Sequence, residues 1–211
     1  MSMESKETYT CPECGHEQEC TVWHSLNGDM NPEAKQQLLD GTLFLSECSN
    51  CGRKSNLDYG ILYHDMTNQA MVYYVDEESV NKTLEIMKNS GTQFGLDMSG
   101  YRNRIVTDQN SLREKAIIFD HGLDDRVVEI IKLIYYINAE DRFSDAKINA
   151  VYFLVADGKY ILEFLGEKPL SAEVPADMYD NIKHDFAERL ERVGNEDAFV
   201  DLNWASEILK G

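Results

Sequence analysis

Two short cysteine pairs constrain this chain more than any other feature. Cys11-Pro12-Glu13-Cys14-Gly15 and Cys48-Ser49-Asn50-Cys51-Gly52 each set two residues between thiols and a glycine after the second. That spacing makes a turn that aims both sulfurs at one point, and two such turns supply the four thiolates of a tetrahedral metal site. Backbone N–H groups in the turn share the negative charge of the thiolates, and the glycine takes the left-handed position that closes it. Four thiolates leave no open coordination position, so the expected ion holds the fold together rather than catalysing. Zinc is the expected metal. A rubredoxin-like iron centre is the alternative, because the same four thiolates can hold one redox-active iron.

The charge balance narrows the partners. Twenty basic against thirty-eight acidic residues give a net charge of −18. Such a surface repels phosphate backbones and anionic lipid, which argues against nucleic acid and membranes and leaves protein as the expected partner. Arg53-Lys54 and Arg102-Asn103-Arg104 are the only basic clusters. The first ten residues are polar, unlike a secretory signal, and the longest apolar run, Ala150 to Ala156, is too short to span a bilayer. Five cysteines, four of them in metal spacing, favour reduced thiols and a cytoplasmic location over a disulfide framework.

Hydrophobic periodicity and turn residues predict an α+β fold with a β-rich lobe first. Strand patterns occupy Glu17–Asn27, Thr42–Glu47, Asn56–Tyr63 and Ala70–Val75, with a short helix, Pro32–Leu39, inserted between the cysteine pairs. Helices follow at Ser79–Lys88, Leu112–Phe119 and Asp125–Ile137, the last apolar nearly all round. Gly91 to Asn110 reads as the loosest stretch and a hinge. Later, Ile148–Ala156 and Lys159–Leu165 flank Asp157-Gly158, a pair that suits a type I′ hairpin turn. A helix from Pro175 to Arg192, a strand at Ala198–Leu202 and a helical turn at Trp204–Lys210 complete the expectation. The division expected is a first domain at 1–139, with a zinc ribbon at 8–76 and helices at 79–138, and an α+β extension at 140–211.

Other candidate residues carry weaker signals. Cys20 alternates with Val22 on a strand and reads as a small buried hydrophobe. His16 reads as a surface histidine close to the metal turn. His64-Asp65 and Asp120-His121 are sequence neighbours, and side chains adjacent on a strand point to opposite faces, so neither is a ready-made catalytic pair. An enzyme with a pocket near His64 or His121 is therefore a third reading, behind the structural zinc and iron readings. The chain has no phosphate-cradling glycine loop, no Gly-x-Ser-x-Gly elbow and no His-Glu-x-x-His.

Four stretches together carry a family resemblance: Cys11-Pro12-Glu13-Cys14-Gly15, Asn31-Pro32-Glu33, Cys48-x-x-Cys51-Gly52 and Leu62-Tyr63-His64-Asp65-Met66. From about Tyr9 to the Asp125–Ile137 helix the chain resembles the bacterial and archaeal CpXC domain proteins, named for two Cys-Pro-x-Cys motifs. Only the first motif is intact here, since Ser49 stands where proline is expected. Proline stiffens the turn and ligates nothing, so the departure bears on stiffness and not on metal binding. The resemblance implies a zinc ribbon with Cys11, Cys14, Cys48 and Cys51 as ligands, and it implies no particular reaction. The sequence as a whole points to a zinc-binding protein-interaction or regulatory module.

Overall fold

The computed structural model describes residues 2–93 and 100–210. It is an α+β protein with two compact units, Met1–Ala116 and Ile117–Gly211.

In the first unit, β1 (Met3–Thr10) and β2 (Glu17–Asn27) form a long antiparallel hairpin. The helix α1 (Pro32–Asp40) has Pro32 in its first turn and ends at Gly41, whose φ of 82° is the left-handed cap. A separate two-stranded hairpin joins β3 (Leu45–Glu47) to β4 (Lys54–Asn56). The strands β5 (Ile61–Asp65) and β6 (Ala70–Tyr74) pair antiparallel, and the helix α2 (Val80–Gln93), the strand β7 (Arg102–Val106) and the helix α3 (Gln109–Asp120) follow. The five-stranded sheet runs β1-β2-β5-β6-β7, with parallel contacts between β2 and β5 and between β6 and β7. Ile61, Tyr63 and Asp65 alternate inward on β5, as do Ala70, Val72 and Tyr74 on β6. This period of two puts one face of the central strands in the core.

Several expectations for this unit need correction. The segment Met3–Thr10 is a strand although neither of its faces is apolar; the main-chain ladder to β2 orders it. The strand predicted at Asn56–Tyr63 is interrupted from Leu57 to Gly60. There the Leu57 N–H donates to the Phe44 carbonyl at 2.8 Å, and the Phe44 and Tyr59 rings pack 4.9 Å apart. The helix predicted to stop at Lys88 continues to Gln93. Of the expected hinge, residues 94–99 lie outside the described residues, Gly91–Gln93 belong to α2 and Arg102–Val106 form β7. Two arginines hid that strand, yet Arg104 is fully buried beside Ile105 and Val106. Cys20 is half-buried rather than core, and its thiol donates to the Glu7 carbonyl at 3.4 Å.

In the second unit, α4 (Asp125–Arg142) is capped by the Asp124 side chain, which accepts from the Arg126 N–H. An antiparallel sheet of β8 (Ile148–Ala156), β9 (Lys159–Gly166) and β10 (Leu170–Val174) follows. Asp157 and Gly158 have φ of 51° and 73°, the two positive values that a type I′ turn requires. The strand β10 was not expected. The predicted helix Pro175–Arg192 breaks at Phe186 (φ −101°, ψ 5°) into α5 (Ala176–Asp185) and α6 (Ala187–Val193). No strand forms at Ala198–Leu202: Val200 is buried in an irregular segment, and α7 (Leu202–Lys210) begins there. The helix α4 packs on α7, α5 and β8. Its nearly continuous apolar surface places it at the centre of this unit. Arg126 on α4 also closes the end of α6, donating to the carbonyls of Leu190 at 2.9 Å and Gly194 at 2.5 Å.

Candidate metal centre

Each cysteine pair forms the loop of a β-hairpin, and the two loops repeat one hydrogen-bond pattern. In the β1–β2 loop the Cys11 N–H donates to the His16 carbonyl at 2.9 Å, and the Gly15 N–H to the Cys11 carbonyl at 2.9 Å. In the β3–β4 loop the Cys48 N–H donates to the Arg53 carbonyl at 2.8 Å, and the Gly52 N–H to the Cys48 carbonyl at 2.8 Å. Gly15 and Gly52 have φ of 68° and 73°, and a Cβ on either would meet nothing within 4 Å. Backbone conformation alone therefore demands glycine at these positions.

The two loops bring their thiols together. The sulfurs of Cys11, Cys14, Cys48 and Cys51 all lie within 4.8 Å of one another. Across the loops, Cys11 Sγ lies 3.7 Å from Cys51 Sγ, and Cys14 Sγ lies 3.7 Å from Cys48 Sγ. All four are free thiols. A metal bound at about 2.3 Å by four thiolates sets its sulfurs about 3.8 Å apart along each tetrahedral edge, so these cysteines fit a metal ion. The first cysteine of each pair is buried and the second exposed, which places the cluster half in the lobe and half at its surface.

Polar groups beside Cys14 favour its thiolate. The Asn50 side-chain amide approaches Cys14 Sγ at 3.5 Å and, with the His16 N–H, lowers the Cys14 pKa to about 6. The Arg53 N–H makes the corresponding bond to Cys51. Burial and the three neighbouring thiols outweigh it, and the Cys51 thiol is pushed up to about 12. Four sulfurs this close cannot all ionise without a cation among them.

Side chains from both loops clamp the site, and of these Gln18 carried no signal in the sequence. Gln18 on β2 accepts the Ser49 N–H at 2.8 Å through Oε1, and its Nε2 donates to the Glu47 carbonyl at 3.0 Å and to Ser46 Oγ at 3.3 Å. His16 Nε2 meets Ser49 Oγ at 3.0 Å, and Arg53 pairs with Glu13 at 2.8 Å. Ser49, which departs from the Cys-Pro-x-Cys motif, therefore contributes two contacts that proline lacks. A partner at the facing position was the only usable signal, and it lies 31 residues away in sequence.

The other candidates go elsewhere. His64 is half-buried, with Nδ1 3.4 Å from Asn27 Nδ2 and Nε2 3.1 Å from the Tyr101 hydroxyl, and burial lowers its pKa. Asp65 is fully buried, accepting from the Asn68 N–H at 2.9 Å, the Tyr63 hydroxyl at 3.3 Å and Lys35 at 3.4 Å. The two side chains thus serve separate partners, as their opposite faces on β5 require. His121 Nδ1 lies 2.9 Å from the Ile117 carbonyl, one helical turn back. The structure brings neither histidine to the cysteine cluster.

No curated protein and no solved structure matches the chain. The profile of the family described as CpXC protein matches residues 9–132, which cover both cysteine loops, the strands β2, β5, β6 and β7 of the five-stranded sheet and the start of α4. With more than half its length matched and both cysteine loops in place, the chain belongs to the CpXC family.

Proposed function

We propose that Cys11, Cys14, Cys48 and Cys51 hold one zinc ion in a closed structural site, and that the surrounding lobe is a cytoplasmic protein-interaction or regulatory module. The observation that supports a metal here is the 3.7 Å spacing of sulfurs across the two loops, close to the edge of a tetrathiolate around zinc or iron. Zinc is favoured because closed four-cysteine sites are characteristically structural zinc sites. With four sulfur ligands the ion has no position for water or substrate, so its contribution is folding energy. The β3–β4 hairpin pairs three residues on each strand, too few to stand alone, and the metal joins it to the longer β1–β2 hairpin. The acidic surface and the outer edge of β1, at the end of its sheet, favour a protein partner over nucleic acid.

Elemental analysis of protein grown with both metals supplied tests this directly. One zinc per chain, a colourless protein, and four thiols that react only after chelation are the expected results. Stoichiometric iron with visible thiolate-to-iron absorption would replace this reading with the rubredoxin-like one. Thiols that titrate freely without chelator or denaturant would remove both. The interaction reading predicts a native partner that no longer binds when the β1 edge is blocked by Lys6→Pro, with zinc content unchanged.

A further inference from the structure

The second unit contains a cavity of about 460 Å³, within the range of small-molecule sites. It opens between the last turns of α4, the edge strand β10 and the start of α5, wholly beyond the residues that the family profile matches. Its walls are mostly apolar: Phe164 and Leu170 stand opposite each other in the β9–β10 register, and Met178 and Phe143 also line it. Phe143 is half exposed beside it. Three polar residues of α4 line the same cavity, Tyr135, Asn138 and Arg142.

Arg142 supplies the charge argument. In a chain with 38 acidic and 20 basic residues, a cation ordinarily finds a carboxylate. Among the described residues Arg142 forms no ion pair and no hydrogen bond. Two nearby acids are engaged elsewhere: Glu140 accepts from the Tyr136 hydroxyl at 2.7 Å, and Asp145 pairs with Lys168. Arg142 is exposed and lines an apolar cavity, and a guanidinium suits a planar anion.

We infer that this cavity binds an amphiphilic carboxylate, its apolar body on Phe164, Leu170 and Met178 and its carboxylate on Arg142. The phenol of Tyr135, whose pKa burial raises, stays protonated at neutral pH and supplies a second donor.

Calorimetric titration of the full chain with decanoate, beside the neutral decanol, tests the assignment, with the methyl signal of 13C-methionine-labelled Met178 as the reporter of place. Saturable one-to-one binding of decanoate that moves the Met178 signal is expected. Arg142→Gln should weaken decanoate about fivefold, the scale of a partly solvated ion pair, and leave decanol unchanged. Ala139→Phe, which fills the cavity from α4, should abolish both. Should that variant not fold, the Arg142→Gln comparison decides alone. Absence of saturable decanoate binding overturns the inference, as does binding that leaves Met178 unmoved or an Arg142→Gln effect equal for the two ligands. Self-association of the chain that Ala139→Phe disrupts would assign the cavity to a second copy instead, and would equally overturn it.

Discussion

Replacing Gln18 with alanine tests whether side chains between the loops, and not the cysteines alone, set the metal affinity. Gln18 makes two well-formed bonds to the second loop, accepting from the Ser49 N–H at 2.8 Å and donating to the Glu47 carbonyl at 3.0 Å. Each such bond contributes about 1 kcal/mol net, and water can reach Ser49 once the side chain is gone. The loss is therefore about 1–2 kcal/mol. Because the proposed zinc would join the two loops, that loss should appear as zinc affinity, and about 1.4 kcal/mol corresponds to tenfold. Competition against a chromophoric chelator should show Gln18→Ala releasing zinc about five- to thirtyfold more readily. Ser49→Pro restores the family motif but removes the N–H that Gln18 accepts. The two changes should therefore be non-additive, with Ser49→Pro costing markedly less in the Gln18→Ala background than in the native chain. An affinity for Gln18→Ala within twofold of the native value, or strict additivity of the pair, would refute the clamp.

Other expectations follow from the same geometry. Gly52→Ala, at φ 73° with no neighbour to clash, should cost about 1 kcal/mol from backbone strain alone, read as a shift in the urea midpoint; a neutral result would mean the loop relaxes out of the left-handed region. Zinc affinity should rise with pH. At pH 7 the metal-free Cys14 is already a thiolate, its pKa near 6, whereas Cys51, pushed to about 12, must release its proton to bind. Below pH 6 Cys14 is protonated too, so chelator competition at pH 5.5, 7 and 8 should give steadily tighter binding, and a flat profile would contradict this. Asp65→Ala should destabilise the first unit by about 3 kcal/mol, because it removes the fully buried carboxylate that accepts from Lys35, the Tyr63 hydroxyl and the Asn68 N–H. Chemical denaturation giving less than about 1 kcal/mol would show that water replaces the carboxylate.

The cysteine cluster was legible because its geometry is local. Two residues between thiols and a following glycine specify a turn wherever they occur, and the structure repeats that turn twice with one bond pattern. Helices with a continuous apolar stripe and the Asp157-Gly158 turn were legible for the same reason: each is decided within a few residues. The α+β class followed from those periods alone.

What the sequence could not settle were the features that only distant partners decide. The strand Met3–Thr10 has no apolar face and owes its conformation to β2; Arg102–Val106 hides its pattern behind arginines, one of which the fold buries whole. Gln18 matters because folding sets it against Ser49, and no spacing rule connects residues 31 apart. The place of α4 is of the same kind: its apolar surface announced burial, but which elements cover it depends on packing in three dimensions. By itself, then, the sequence determined the four thiols, the turns that present them and the α+β class, because covalent spacing and backbone conformation act at short range. The tertiary structure decided which thiols face each other across the loops, what clamps them and where the second unit leaves a cavity, because each depends on contacts between residues far apart in the chain.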